Sequence, residues 1–293
     1  MEIVIGLPAY NEEANLPNII TQLKKITQKI IVCNDGSSDQ TGRIAEKMGA
    51  TVINHVENMG YGASIRSLFT KFADTEGDIL VTFDADGQHR IEDIQTVVEP
   101  IQKNEADIVI GSRFLEKNDH VPIYRKFGIK TITNLTNTAL DSKITDSQSG
   151  FRAYSRKVFP SIIPSEYGMG VSTEILIKAD KSNFRIKEVP IKILYKGETS
   201  THHPVSHGAS VMLSTMKFIS IEHPLRFYGI PGIVFLGIGL FFVVWTIQYF
   251  TEFGEFPPVL ALIAIGSTLF GLMFLMTAIM LYSIVNLIRD AKK

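Results

Sequence analysis

Two long stretches without a charged side chain, residues 227–251 and 256–288, constrain this chain more than any other feature. A helix needs about 20 apolar residues to cross a hydrocarbon core of roughly 30 Å. Phe227–Phe250 meets that length, with Tyr228, Trp245 and Tyr249 near its ends, where interfacial aromatic rings belong. Val259–Ile288 exceeds it and is expected to tilt or to leave the bilayer in its last turn. Between them TEFGEFPP, with Glu252, Glu255 and two prolines, reads as a tight polar turn. Two buried core helices are the alternative, but charge-free runs of this length are rare in soluble cores. Everything before them reads as a soluble head. The loop between the runs has no lysine or arginine, whereas Lys217 and Arg226 precede the first, and Arg289, Lys292 and Lys293 follow the second. The positive-inside rule then predicts a cell-membrane protein with two spans, its head and C-terminus cytoplasmic. The start, MEIVIGLPAYNEE, has no basic residue and only a short apolar run, and does not read as a signal peptide.

The head alternates short apolar runs with longer amphipathic ones. Ile3–Gly6, Ile30–Cys33, Thr51–Asn54, Ile79–Phe83 and Ile108–Ile110 read as strands, and far along the chain so does Ile186–Tyr195, which Pro190 interrupts. Glu12–Ile26, Asp39–Met48, Tyr61–Phe72 and Ile91–Gln102 read as helices between them. This pattern predicts an α/β fold with a mostly parallel sheet covered by helices, and ligands in such sheets bind at the carboxyl ends of the strands. Four polar clusters fall there: PAYNEE, NDGSSD, DADGQH and GSRF. A net charge of −1 over 293 residues argues against nucleic acid as a partner, and a single cysteine, Cys33, excludes an internal disulfide framework.

DADGQH is the sharpest cluster. Asp84 and Asp86, one residue apart at a strand end, with the amide oxygen of Gln88, offer the oxygen ligands that Mg²⁺ or Mn²⁺ takes together with substrate phosphates. An aspartate-rich turn capping the following helix is the plainer alternative. His89 is a poor ligand for a hard cation and is expected as a hydrogen-bonding loop histidine. In the first two loops Pro8 rigidifies the chain, Tyr10 offers a ring, and Asn11, Glu12 and Asp35 offer hydrogen bonds to a base or ribose; helix capping by Asn11 and Ser38 is compatible with that. Neither G-x-G-x-x-G nor a P-loop is present. Gly60-Tyr61-Gly62 opens a helix whose N–H groups could hold a phosphate or a sugar hydroxyl, or serve only the turn. Arg113 and Arg125 bracket a site rich in acids, as a second phosphate would require. Glu174 reads equally as part of a sugar pocket or as structural.

LPAYNEEANL, NDGSSDQT, FDADGQH, VIGSRF and DSQSGFRAYSR, in this order, resemble family 2 glycosyltransferases of GT-A fold, and more narrowly the dolichyl- or polyprenyl-phosphate mannose and glucose synthases. NFRIKEVPI at 183–191 fits the same family. The resemblance implies a GT-A catalytic domain over 1–200, to which the sequence adds an amphipathic interfacial connector over 201–224 and a two-helix transmembrane domain over 225–293. It implies donor-nucleotide contacts at Pro8, Tyr10, Glu12 and Asp35, donor and metal contacts at Asp84 and Asp86 with Gln88 as third metal ligand, and acceptor-phosphate contacts at Arg113 and Arg125. The implied reaction is inverting transfer of a hexose from a nucleotide sugar, GDP-mannose or UDP-glucose, to dolichyl or polyprenyl phosphate, with Mg²⁺ or Mn²⁺ as cofactor. The lipid bilayer is a partner, and a homo-oligomer is compatible with these features. Transfer to a hydroxyl of a lipid-linked glycan and non-catalytic binding of a nucleotide sugar are the alternatives. Asn34-Asp35 stands where many relatives have two aspartates, and Lys196–Ser200 departs from their basic segment. Finally, Val205, Ala209, Met212, Met216 and Ile219 form an apolar stripe, widened by Val211 and Phe218, that predicts a helix lying on the membrane; a helix packed on the head is the alternative.

Overall fold

The computed structural model describes residues 1–116, 123–193 and 204–290, with side chains left undescribed at 123–125, 204–211 and 289–290. The chain divides into two compact units, Met1–Thr215 and Met216–Lys293.

The first unit is built on seven strands: β1 (Ile3–Ala9), β2 (Ile30–Asn34), β3 (Thr51–Asn54), β4 (Ile79–Thr82), β5 (Ile108–Ser112), β6 (Arg152–Ser155) and β7 (Ile186–Pro190). They lie in the order β3-β2-β1-β4-β6-β5-β7. Only β6 runs antiparallel to its neighbours. From β1 the chain winds outward through β2 and β3, then returns to place β4 on the other side of β1. The order therefore reverses between β1 and β4, where open α/β sheets leave a crevice for ligands. β1 pairs with β2 as far as Ala9 but with β4 only as far as Gly6. Pro8, which lacks an N–H, thus sits where one ladder has already ended and costs no hydrogen bond.

Helices cover both faces. α1 (Leu16–Leu23) buries Leu16, Ile19, Ile20 and Leu23, an i, i+3, i+4, i+7 stripe. With α4 (Asp93–Gln102) it packs on the face carrying Ile5, Leu7, Val81 and Phe83. α3 (Tyr61–Ala73) and α6 (Val171–Lys181) cover the opposite face, where Leu68, Phe69, Phe72 and Ile175 meet Val4, Ile31, Leu80 and Tyr154. α2 (Thr41–Lys47) and α5 (Ile123–Asn137) complete the layers.

The expected parallel sheet is present, with three local differences. The helix expected from Glu12 begins only at Leu16, because Asn11 takes a left-handed φ of 55° and residues 11–13 bond to the next loop instead. β6 was not anticipated; RAYS has neither apolar alternation nor length to announce a central strand. The strand expected over Ile186–Tyr195 ends at Pro190; an isolated bridge from Ile193 to His89 follows it, and residues 194–195 lie outside the described ones.

α7 (Pro204–Glu222) is the helix expected near 205–222. Thr215 is fully buried in the first unit, its hydroxyl 3.4 Å from that of Thr173, and Ser214 lies where a Cβ on Gly170 would come. Leu213 is exposed, and so is Met216, whereas Ile219 is buried. The helix therefore docks through small hydroxyl residues and turns Leu213 outward. Val205, Ala209 and Val211 belong to the side chains left undescribed.

The second unit is a helical hairpin. α8 (Ile230–Phe253) follows a π-helical turn and ends at Gly254, whose φ of 70° reverses the chain before α9 (Pro258–Asp290). A Cβ on Gly239 would lie 3.0 Å from the Thr268 backbone nitrogen, and one on Gly271 2.9 Å from that of Leu236. Small residues thus let the two backbones meet, as in helix pairs packed in lipid. Two apolar helical segments, Leu225–Phe253 and Pro258–Ile288, are long enough to cross a membrane. Both are largely exposed in the structure, unlike a soluble core helix.

Candidate active site

The crevice between β1 and β4 is walled by two loops that bind each other. The Asn11 amide donates to Ser37 Oγ (3.0 Å), and Asn11 Oδ1 accepts from the Ser38 amide (2.9 Å). The Glu12 amide donates to Thr41 Oγ1, and Glu13 exchanges bonds with Asp39 and the Gln40 amide. Asn11 and Ser38 thus fasten loop to loop, not loop to helix. Tyr10 stands exposed at the rim, and Pro8 is half-buried beneath it.

Asp84 and Asp86 follow the end of β4. Asp84 Oδ2 faces His89 Nε2 at 3.1 Å, and Oδ1 accepts from the Tyr61 hydroxyl at 3.3 Å. Asp86 Oδ1 accepts from the Gln88 amide (2.9 Å) across Gly87, whose φ of 72° forms the turn. Burial pushes the Asp84 carboxyl up, but His89, Tyr61 and the Arg113 charge outweigh it and hold the pKa below its ordinary value. Asp86 is raised by burial and then by the negative charge of Asp84. Glu12 is raised by burial and by Asp86, Asp39 and Asp84, although its bond from Asn15 opposes this. Three carboxylates therefore share one negative field.

These groups suit a hard divalent cation. The donor set is oxygen, the acidic pair repels itself, and Asp86 is primed to gain from a nearby positive charge. Among the described residues no three His, Cys, Asp or Glu side chains form a metal cage of their own. A site of two carboxylates completed by substrate phosphates is the usual arrangement for Mg²⁺. Gln88, the expected third ligand, is half-buried beside the pair.

Arg113 lies just beyond β5. Its Nε and Nη2 donate to the two oxygens of Asp146 at 2.6 and 2.7 Å, and its backbone amide adds a third bond. Asp146 is fully buried; burial raises its pKa, but the Arg113 charge and hydrogen bonds prevail and lower it. The arginine is thereby fixed in place near Asp84. Arg125 lies in the first turn of α5, but its side chain is outside the described ones, as are residues 194–203 with the Lys196–Ser200 segment, and the His207 side chain.

Three further candidates sit in defined hydrogen-bond networks. Asp35 is 4% exposed, and its carboxylate accepts from His55 Nδ1 (2.6 Å) and the amides of Met59 and Gly60. Oδ2 accepts only the Gly60 amide, so one lone pair of the carboxylate is left over. At the Gly60-Tyr61-Gly62 helix start the Gly62 and Ala63 amides donate to the Tyr167 carbonyl, and the Gly60 amide to Asp35. Glu174 is fully buried and accepts from Ser165, the Glu166 amide and Lys178, which settles it as the anchor of the loop before α6. Sequence reading passed over Asp146 and Gly150. Gly150 must be glycine, because a Cβ there would lie 2.4 Å from the Tyr61 hydroxyl and 2.9 Å from Asp84 Oδ2. The DSQSG string carried that signal, but nothing in it says which residues it will touch.

Comparison with known proteins gives the same direction. Residues 4–163 match the model of glycosyl transferase family 2. An uncharacterised protein of Methanocaldococcus jannaschii is 37% identical over 72% of this chain and 87% of its own length. The UDP-N-acetylglucosamine–dolichyl-phosphate N-acetylglucosaminyltransferase of Methanococcus voltae is 31% identical over 74% of this chain and 93% of its own. Among solved structures, glucosyl-3-phosphoglycerate synthase of Mycobacterium tuberculosis, crystallised with Mn²⁺, UDP and phosphoglyceric acid, aligns with a TM-score of 0.56. It covers 75% of this chain and 78% of its own at 21% identity, which speaks for the GT-A fold alone. The chain belongs to glycosyl transferase family 2, and it is a glycosyltransferase.

Proposed function

We propose that the protein transfers a hexose, with inversion, from GDP-mannose or UDP-glucose to dolichyl or another polyprenyl phosphate at the cytoplasmic membrane face. The product is a lipid-linked monosaccharide. The observation that carries this reading is the juxtaposition at one sheet edge of an acidic pair, Asp84 and Asp86, with an arginine locked in place by Asp146.

The chemistry follows from charge. A phosphate monoester has a second pKa of about 6, so near neutrality the acceptor oxygen is already deprotonated. Such an acceptor needs no general base. It needs fixed positive charge that holds two anions in line. Arg113, pinned by Asp146, and Arg125 on α5 would position the acceptor phosphate. Tyr10 and the loop it caps would position the nucleotide. Asp84, Asp86 and Gln88 would hold a divalent cation, which when bound stabilises the charge developing on the departing nucleoside diphosphate. The two apolar helices would keep the head beside the lipid tail. The relative from Methanococcus voltae, whose name specifies a dolichyl-phosphate acceptor, supports the same acceptor class.

One observation favours a second reading. Glu12 has a raised pKa, and a carboxylate of that kind could take a proton from a hydroxyl acceptor on a lipid-linked glycan. A donor panel separates the details. Purified protein given a polyprenyl phosphate, Mn²⁺ and GDP-mannose, UDP-glucose or UDP-N-acetylglucosamine should convert one hexose donor to extractable lipid-linked sugar. Transfer from UDP-N-acetylglucosamine alone would replace the proposed donor, and transfer from none would remove the acceptor.

A further inference from the structure

Asp84 is held on both oxygens. Tyr61, the first residue of α3, brings its hydroxyl to Oδ1 at 3.3 Å, and His89 brings Nε2 to Oδ2 at 3.1 Å. Neither partner is free to swing. The His89 ring lies between Phe83 and Phe151, with centroids 5.6 and 5.0 Å away, and its backbone is bridged to Ile193. Its side chain is 6% exposed, and Nδ1 is buried with no hydrogen-bond partner among the described residues. An unpaired buried nitrogen is tolerated better as a bare lone pair than as an N–H donor. The ring proton therefore belongs on Nε2, pointing at Asp84. Tyr61 is fixed from the other side: the helix start is bound to the Tyr167 carbonyl, and Gly150 packs against the hydroxyl so closely that no Cβ fits.

We propose that Tyr61 and His89 are positioning residues for Asp84, each occupying one lone pair of a different carboxylate oxygen so that the remaining lone pairs are presented to the divalent cation. The inference rests on the metal role given to Asp84 above. Two fixed donors leave the carboxylate one orientation, so the cation meets a preformed ligand. Without them Asp84 could rotate, and part of the binding free energy would go into ordering it. Donors of this kind around metal ligands change affinity by about 10–100-fold. Gly150 belongs to the same device, because an alanine there would push into Tyr61 and Asp84 together.

The test measures metal binding directly. Mn²⁺ is titrated into the full-length protein in detergent, with UDP and separately with GDP present, and free Mn²⁺ is read by electron paramagnetic resonance. Tyr61→Phe removes only the hydroxyl, and His89→Leu removes the donor at similar size. Each should raise the Mn²⁺ Kd about tenfold. His89→Gln keeps an N–H donor of comparable reach and should recover most of the loss. Wild-type affinity in both Tyr61→Phe and His89→Leu overturns the proposal. An equal loss in His89→Leu and His89→Gln, accompanied by a lower melting midpoint, overturns it too, because His89 would then serve only the fold. Wild-type protein that binds no Mn²⁺ with either nucleotide overturns the metal reading itself, and this proposal with it.

Discussion

Asp84 and Asp86 are set up differently: two hydrogen-bond donors hold Asp84 in one orientation beside the Arg113 charge. Asp86 accepts from the Gln88 amide, and the negative charge of Asp84 raises it. Asp86→Ala is expected to lower sugar transfer by at least about a hundredfold, the scale seen when a preorganised electrostatic group is lost. Excess chelator should do the same to the wild-type protein. Initial rates with and without chelator check both, and full activity in chelator would contradict the role. At this scale the sequence was legible where function compresses residues into a few positions: the carboxylate pair sits within five residues of His89, and a strand end forces them together. It was not legible where partners are remote. Arg113 finds Asp146 across 33 residues, and Tyr61 finds Asp84 across 23. Those contacts depend on where other strands insert.

Elements show the same division. The parallel strands announce themselves by runs of Ile and Val that are buried on both faces, as parallel strands are. β6 does not, because Arg152 inside it is buried by bonding to the carbonyls of Ser147, Ser149 and Ser172, a solution no hydropathy pattern reveals. Its antiparallel course brings residues 146–150 to the same sheet edge as the acidic pair. The far edge is anchored by Asp107 at the start of β5. Burial pushes its carboxyl up, but bonds from the Arg185 side chain, Lys157 and the Arg185 amide hold its pKa at about 2. An unfolded aspartate titrates near 3.9. The depressed value means that this contribution is complete above about pH 4 and is lost as pH falls through about 2. Asp107→Asn should lower the urea midpoint of unfolding at pH 6. The gap to wild type should shrink as pH falls from about 4 toward 2. A gap independent of pH would show that the ion pairs do not link β5 to β7 in this way.

For the whole molecule the charge-free runs gave the strongest sequence signal, and the hairpin of α8 and α9 has the expected elements. The connector carries the expected helix, and hydroxyl side chains at Ser214 and Thr215 pack it against Gly170 and Thr173. Orientation is open to a labelling test that the chain itself makes clean. Cys33 is fully buried, and burial raises its thiol to about 11, so it stays protonated and unreactive. Glu255→Cys in the loop between the helices should react with a membrane-impermeant maleimide in intact cells, and Lys25→Cys in the head only after lysis. The reverse pattern would place the head outside.

The central claim is that the sugar goes to a phosphate oxygen of a membrane lipid. It is tested most directly by giving the purified protein one accepted nucleotide sugar, a divalent cation, and the same polyprenol in two forms, phosphorylated and free, with the products read by mass spectrometry. The account predicts a glycosyl phosphodiester, β-linked from an α-linked donor, formed only from the phosphorylated lipid and without change in rate between about pH 7 and 8, where the acceptor is already mostly dianionic. Equal transfer to the free polyprenol, or a product bearing the sugar on a hydroxyl with the phosphate still a monoester, would contradict it.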